Sequence, residues 1–294
     1  MFALISGASY GFLSILGKLG YRVGIEVMPL LSYRFFLASV IMGFYLLVKD
    51  YRLLVPSFRV LAKAATLGML FYAIQSTLFF HALHHIPAAT ATLILYVYPI
   101  TVTLLAMFIF KLKATGGIGA SLLLLMCGCS LVFYDAFAKG QSILGIALAT
   151  GAMVCLSAYL ITIQFFLKGE RPLSVTFYAI VFTSIFYSFF QNPLEVFTLN
   201  HDQVAVVLGL ALIPTVIAVS LLYRAIELIG SAYTSIFSTL EPVVTVILAH
   251  QVLGERVVLI QVVGMILIIL GIIVPNLHYL FGRQHTSLSK PEES

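Results

Sequence analysis

Charge is what this chain of 294 residues has least of: Asp, Glu, Lys and Arg together make up 9%, where soluble domains carry about 25%. With 61% hydrophobic residues and a mean hydropathy of +1.10, the chain is excluded as a water-soluble domain and reads as a polytopic membrane protein. A nucleic-acid role goes with it, because the net charge of +5 is scattered over loops between apolar segments, where it reports membrane orientation. Cysteine is scarce too. Cys127, Cys129 and Cys155 all lie in apolar segments, which argues against disulfides. Cys127 and Cys129 point to different faces of a helix, so no shared metal is expected. The apolar run from Phe2 lacks a basic leader and a small-residue cleavage site, and is expected to stay as a first transmembrane helix. No catalytic signature is present, and no histidine falls at the depth of the central carboxylate Glu241. An enzyme is therefore not expected, and neither a cofactor nor a metal.

What is present is apolar length. Segments cover roughly 2–20, 29–48, 61–83, 88–110, 116–134, 143–167, 173–190, 204–228, 232–252 and 258–280, each near the ~20 residues that cross a bilayer. The fold expected is all-α, with ten transmembrane helices and a disordered cytoplasmic tail over 281–294. With the amino terminus inside, ten basic residues fall in inner loops and the tail, against four outside (Lys18, Arg22, Lys139 and Arg256). The positive-inside rule then puts both termini in the cytoplasm.

The strongest organising signal is an internal repeat at an offset of 143 residues. Without a gap, Ala82 pairs with Ala225, Ala89 with Ala232, Pro99 with Pro242 and Gly128 with Gly271. Each repeat, 1–135 and 143–280, holds five segments. An odd number makes the two copies run oppositely through the membrane, an inverted repeat whose substrate site lies near the midplane between the halves.

Within the ninth segment sits Glu241-Pro242, a carboxylate and a helix-breaking proline at membrane depth. An ionised side chain there costs about 2.5–3.5 kcal/mol on insertion scales, so it is expected to face protein or a watery cavity. Its repeat mate is Tyr98-Pro99. Thr92, Tyr96, Pro99 and Thr103 recur on one face of the fourth segment, and Ser235, Ser238, Thr239 and Pro242 on one face of the ninth. These two stripes are the expected cavity walls, although hydroxyls of this kind also serve as interhelical glue. Gln75, Tyr10, Ser157 and Tyr159 add polar groups and rings that suit a small organic substrate. Arg34, just inside the second segment, could hold a carboxylate, pair with an internal acid, or snorkel to the interface, the last being expected. His81, His84 and His85 read as a polar helix end. Ser121, Gly128, Gly264 and Gly271 read as a packing face between the fifth and tenth segments.

Ala88-Ala89-Thr90-Ala91, Tyr96-Val97-Tyr98-Pro99, Ser238-Thr239-Leu240-Glu241-Pro242 and Gly254-Glu255, set in duplicate, carry a resemblance. Over about residues 2–280 the chain resembles the drug/metabolite transporter superfamily in its EamA-type branch. It departs from many relatives in having Tyr10-Gly11 where they carry tryptophan-glycine, and it has no tryptophan at all. The resemblance implies a secondary transporter in a bacterial-type inner membrane that exports amino acids or related compounds, as a monomer or homodimer. Uptake of a nucleotide-like or cofactor metabolite such as S-adenosylmethionine is the alternative it allows. Glu241 is the expected carrier where a proton is the coupling ion; facilitated diffusion without a coupling ion is the other reading.

Overall fold

A backbone inside a bilayer has no water to bond with, and the helix satisfies its polar groups within one segment. In the computed structural model, which describes residues 1–86, 88–113, 115–134, 142–253 and 257–286, every regular element is helical. In chain order these are α1 (Phe2–Arg22), α2 (Val27–Asp50), α3 (Phe58–His85), α4 in two pieces (Ala88–Leu95 and Tyr98–Phe110) and α5 (Gly116–Val132). Then come α6 (Ile143–Phe166), α7 (Pro172–Ser188), α8 (201–229), α9 in two pieces (231–238 and Glu241–Leu253) and α10 (Leu259–Thr286).

Among the described residues six stretches could by length and composition cross a membrane, the longest being His201–Val252, and three shorter apolar helices accompany them. The long stretch is not one rod. At Gly230 the backbone takes φ 79° and ψ 167°, a region open essentially to glycine, and this folds α8 back into α9. Gln164 on α6 fixes the turn, its Oε1 accepting from the Ser231 backbone N–H at 2.7 Å and from the Ser231 hydroxyl. Helix starts are set by side chains as sequence chemistry dictates. Ser57, Thr115 and Ser142 accept from the backbone three residues on, and Asn200 with Gln203 closes a capping box.

The two halves share their irregularities at the 143-residue offset. α4 leaves helical geometry at Tyr96–Val97 and α9 at Thr239–Leu240. Val97 N–H bonds to Ile94 O at 3.2 Å, and its mate Leu240 N–H to Phe237 O at 3.5 Å, the same tightened turn in each half. Pro99 and Pro242 each stand second in the half-helix that follows, where the missing N–H costs nothing. The proline interruption expected within the ninth segment, 232–252, is present in the fourth, 88–110, as well. Both are broken helices, because each proline removes the bond that would close the turn before it. Wide π-helical turns occupy Thr66–Tyr72 in α3 and Leu212–Ile217 in α8, so 69–72 falls on 212–215 at the same offset.

α5 and α10 pack along the small-residue face. Ser121 Oγ donates to Gly271 O at 2.6 Å, and a methyl on Gly128 would lie 2.7 Å from Gly264 O. Numbers rise on one helix as they fall on the other, so the pair is antiparallel. The offset carries 121 to 264 and 128 to 271, exchanging the two contacts, which is what a two-fold axis in the membrane plane requires. α10 continues to Thr286, beyond the boundary at 280 read from the sequence. The remainder of the expected tail, 287–294, lies outside the described residues, as do Gly254-Glu255, Lys139 and Arg256.

Candidate functional site

Between the halves lies an internal cavity of about 70 Å³ walled by α1, α2, α3, α4, α6, α8 and α9. Its lining follows the repeat. Leu13 and Leu156, Phe79 and Leu222, Leu95 and Ser238, and Tyr98 and Glu241 are four pairs at the 143-residue offset, so the cavity straddles the pseudo-two-fold axis.

Arg34 is the feature that sequence reading misplaced. It does not snorkel: it is 1% exposed, the largest fully buried side chain, and it lines the cavity. Its Nε donates to Thr215 Oγ1 at 2.7 Å and one Nη to the Tyr72 hydroxyl at 3.1 Å, while its guanidinium sits 4.8 Å from the Phe35 ring centre. Tyr72 and Thr215 are themselves repeat mates, each in a π turn, so the arginine is clamped on the axis by one residue from each half. The clamp explains why the charge stays inside: two fixed hydroxyls and a ring face replace part of its hydration. Among the described residues no carboxylate pairs with it, and a buried cation without a counter-charge costs several kcal/mol.

Glu241 opens the second half of α9 and lines the same cavity, at the helix end whose dipole favours a negative charge. Its electrostatic neighbours are hydroxyls and a thiol, Tyr10, Tyr96, Tyr98 and Cys129, with no cation among them. The Tyr96 hydroxyl, though close enough to interact with this carboxylate, meets no hydrogen-bond geometry, and neither does the Ser238 hydroxyl. Tyr10 interacts with both charged side chains. Aromatic rings fill the wall between them, with Tyr72 stacked on Tyr159 at 5.5 Å and the Tyr159 and Tyr223 hydroxyls bonded at 2.9 Å.

Of the residues singled out from sequence, Tyr10, Arg34, Gln75, Tyr159, Ser238 and Glu241 line the cavity. Thr92, Tyr96, Pro99, Ser235, Thr239 and Pro242 do not; they form the packed layer behind it. The reason is local satisfaction. Thr103 Oγ1 bonds to Pro99 O, Ser235 Oγ to Ala232 O and Thr239 Oγ1 to Ile236 O, each within its own helix. Tyr96 turns onto Phe133, ring centres 5.9 Å apart. Ser157 likewise bonds back to Met153 O at 2.9 Å. Tyr72, Tyr98, Phe79 and Phe80 went unselected as lining residues. The 143-residue offset carried a signal for Tyr98 through Glu241, but none for Phe80. His84 and His85 end α3 with their rings 5.7 Å apart, and among the described residues no group of three His, Cys, Asp or Glu gathers as a metal site would need.

Comparison with known proteins agrees with this architecture. The chain matches the model of the EamA-like transporter family twice, over residues 1–134 and over 143–277, the division that the internal repeat draws. No curated protein sequence matches it. Among solved structures, one crystal structure of a protein aligns with a TM-score of 0.79 at 15% identity, covering 94% of this chain and 95% of that one. At that identity the likeness speaks to the fold alone.

Proposed function

The chain belongs to the EamA-like transporter family, integral membrane proteins that move small molecules, and from that premise we propose that it is a ten-span secondary transporter exporting amino acids or related zwitterionic compounds. The observation that carries the substrate class is the cavity itself. Among the described residues it presents one buried guanidinium without a counter-ion, Arg34, and one partly buried carboxylate without a cation, Glu241, on walls that are otherwise mostly apolar and aromatic, with Gln75, Ser76 and Ser238 as further polar groups. A cargo with a carboxylate and an ammonium group neutralises both, and its side chain meets rings of the Tyr72 and Phe79 kind. Such complementarity favours a zwitterion over an anionic nucleotide, which would want several cations where this cavity offers one.

In its present volume, about 70 Å³ against the roughly 300–1,000 Å³ of ligand pockets, the cavity is too small for such a cargo. Access therefore requires the halves to part. The broken helices α4 and α9 and the π turns of α3 and α8 are where such motion costs least backbone bonding, since their regular i to i−4 ladders are already interrupted. In this reading both termini lie in the cytoplasm, on the strength of the basic-residue asymmetry, and the membrane is a bacterial-type inner one, as the resemblance to the family implies. Protons are the coupling ion in this reading, with Glu241 loading and unloading as access alternates.

The test is counterflow in proteoliposomes with a labelled panel of amino acids, nucleotides and cofactor metabolites. Uptake confined to zwitterionic amino acids or their relatives is expected. Transport of nucleotides or S-adenosylmethionine-like compounds in their place would overturn the substrate class.

A further inference from the structure

A second and larger space has no place in that reading. A lateral groove of about 890 Å³ runs between α2 of the first half and α7 and α8 of the second, with the start of α1 at its edge. It shares no lining residue with the central cavity. Its wall is polarised along the helix axes. Toward the Arg34 clamp it is apolar, with Leu212 and Val216 flanking Thr215 on α8 and Ile41 and Met42 about two turns past Arg34 on α2, whereas at the end away from the clamp it carries Lys49, Arg171 and Arg224 with Asp50 and Glu227. That end is the one the basic-residue count puts at the cytoplasmic interface.

The charges there are not all committed. Arg224 is bonded to Glu227 on the same helix, and Glu170 turns away to Lys63 at 2.8 Å. Arg171 reaches Asp50 only at 3.8 Å and is two-thirds exposed. Lys49 donates to the Tyr45 hydroxyl at 2.8 Å, which leaves two of its three donors over. Two cations are thus held at the mouth of an apolar groove, and among the described residues no carboxylate satisfies them closely. We infer that this groove binds an anionic glycerophospholipid, its phosphate held by Lys49 and Arg171 and one acyl chain laid along Ile41, Met42, Leu212 and Val216.

The physical case rests on depth and charge together. An open apolar groove at hydrocarbon depth is filled by chains of the bilayer, because water there leaves its hydrogen bonds unmade. Cations at the interface then select the headgroup. The site also touches the machinery. Val216 follows Thr215, and α2 carries Arg34, so an acyl chain wedged between α2 and α8 bears on both sides of the arginine clamp.

The experiment uses the full chain, purified and placed in nanodiscs of phosphatidylcholine with increasing phosphatidylglycerol, with retained lipids identified by native mass spectrometry and unfolding followed by circular dichroism. Phosphatidylglycerol should be retained in preference to phosphatidylcholine and should raise the unfolding midpoint. Lys49→Gln and Arg171→Gln should each weaken that preference roughly fivefold, the worth of one interfacial cation. Asp50→Asn breaks the same ion pair as Arg171→Gln yet keeps both cations, so it should preserve or strengthen the preference. Equal retention of the two lipids, or an undiminished preference in Lys49→Gln/Arg171→Gln, would overturn the inference. So would displacement of the lipid by the transported substrate, which would make the groove a vestibule.

Discussion

Arg34→Met separates a structural arginine from a substrate-binding one. The substitution removes two charge-assisted hydrogen bonds, to Thr215 and Tyr72, together worth about 3–6 kcal/mol. It also removes the several kcal/mol that an unpaired buried guanidinium costs. Neither former partner is left stranded. Thr215 Oγ1 keeps its bond to Leu210 O at 2.7 Å, and the Tyr72 side chain borders the cavity. The thioether replaces the guanidinium against Phe35 and fills most of its volume. The net change in stability should fall within about 2 kcal/mol, because the two large terms oppose each other. Binding has no such compensation. A carboxylate that loses a charge-assisted pair of about 1.5–3 kcal/mol binds roughly 10- to 150-fold more weakly. Thermal unfolding in detergent should therefore show a near-normal midpoint, while counterflow shows KM raised by one to two orders of magnitude. Arg34→Lys, which keeps the charge but loses the planar fork, should lie between. An Arg34→Met variant that fails to fold, or one that folds and transports with unchanged KM, would refute the reasoning.

Glu241→Gln preserves shape and removes titration; it should insert normally and exchange substrate downhill, yet lose accumulation driven by a pH gradient, and normal accumulation would clear Glu241 as coupling group. Gly128→Val places a methyl 2.7 Å from Gly264 O and should lower stability by about 1–3 kcal/mol through separation of α5 and α10, whereas Gly116→Ala, with nothing within 4 Å, should be neutral or stabilising in the same melt. Gly230→Ala should cost about 1–3 kcal/mol because φ 79° with ψ 167° is closed to a Cβ; a wild-type melting curve would show that the α8–α9 turn relaxes freely. Cysteines placed at His85 and Ser289 in a background without Cys127, Cys129 and Cys155 should react with an impermeant reagent from intact cells at His85 alone; the reverse pattern would invert the orientation.

Much of the architecture was legible in the residues. Helical class and span lengths follow from apolar runs, because a bilayer leaves the backbone few alternatives. The gapless 143-residue register located the half-to-half correspondence, including Tyr98 with Glu241 and the Ser121–Gly128–Gly264–Gly271 face, since repeated packing demands repeated small residues. Hydropathy could not show that α4 and α9 are broken, for both halves of each remain apolar and the interruption is a matter of hydrogen bonds. Nor could periodicity separate the cavity wall from the layer behind it. It gives the face of Thr92, Ser235 or Thr239 but not the helix that covers that face, nor, for Ser235 and Thr239, the carbonyl of the same helix that satisfies the hydroxyl.

Arg34 marks the division most sharply. Counted from Val27, it lies seven residues in, about 10 Å along the helix, a depth from which a long side chain on a lipid-facing surface reaches the interface. Sequence by itself determined that depth and the residue's charge. Only the tertiary structure decided its direction, because what holds it are Tyr72 and Thr215, 38 and 181 residues away along the chain, brought together by the pairing of the two halves.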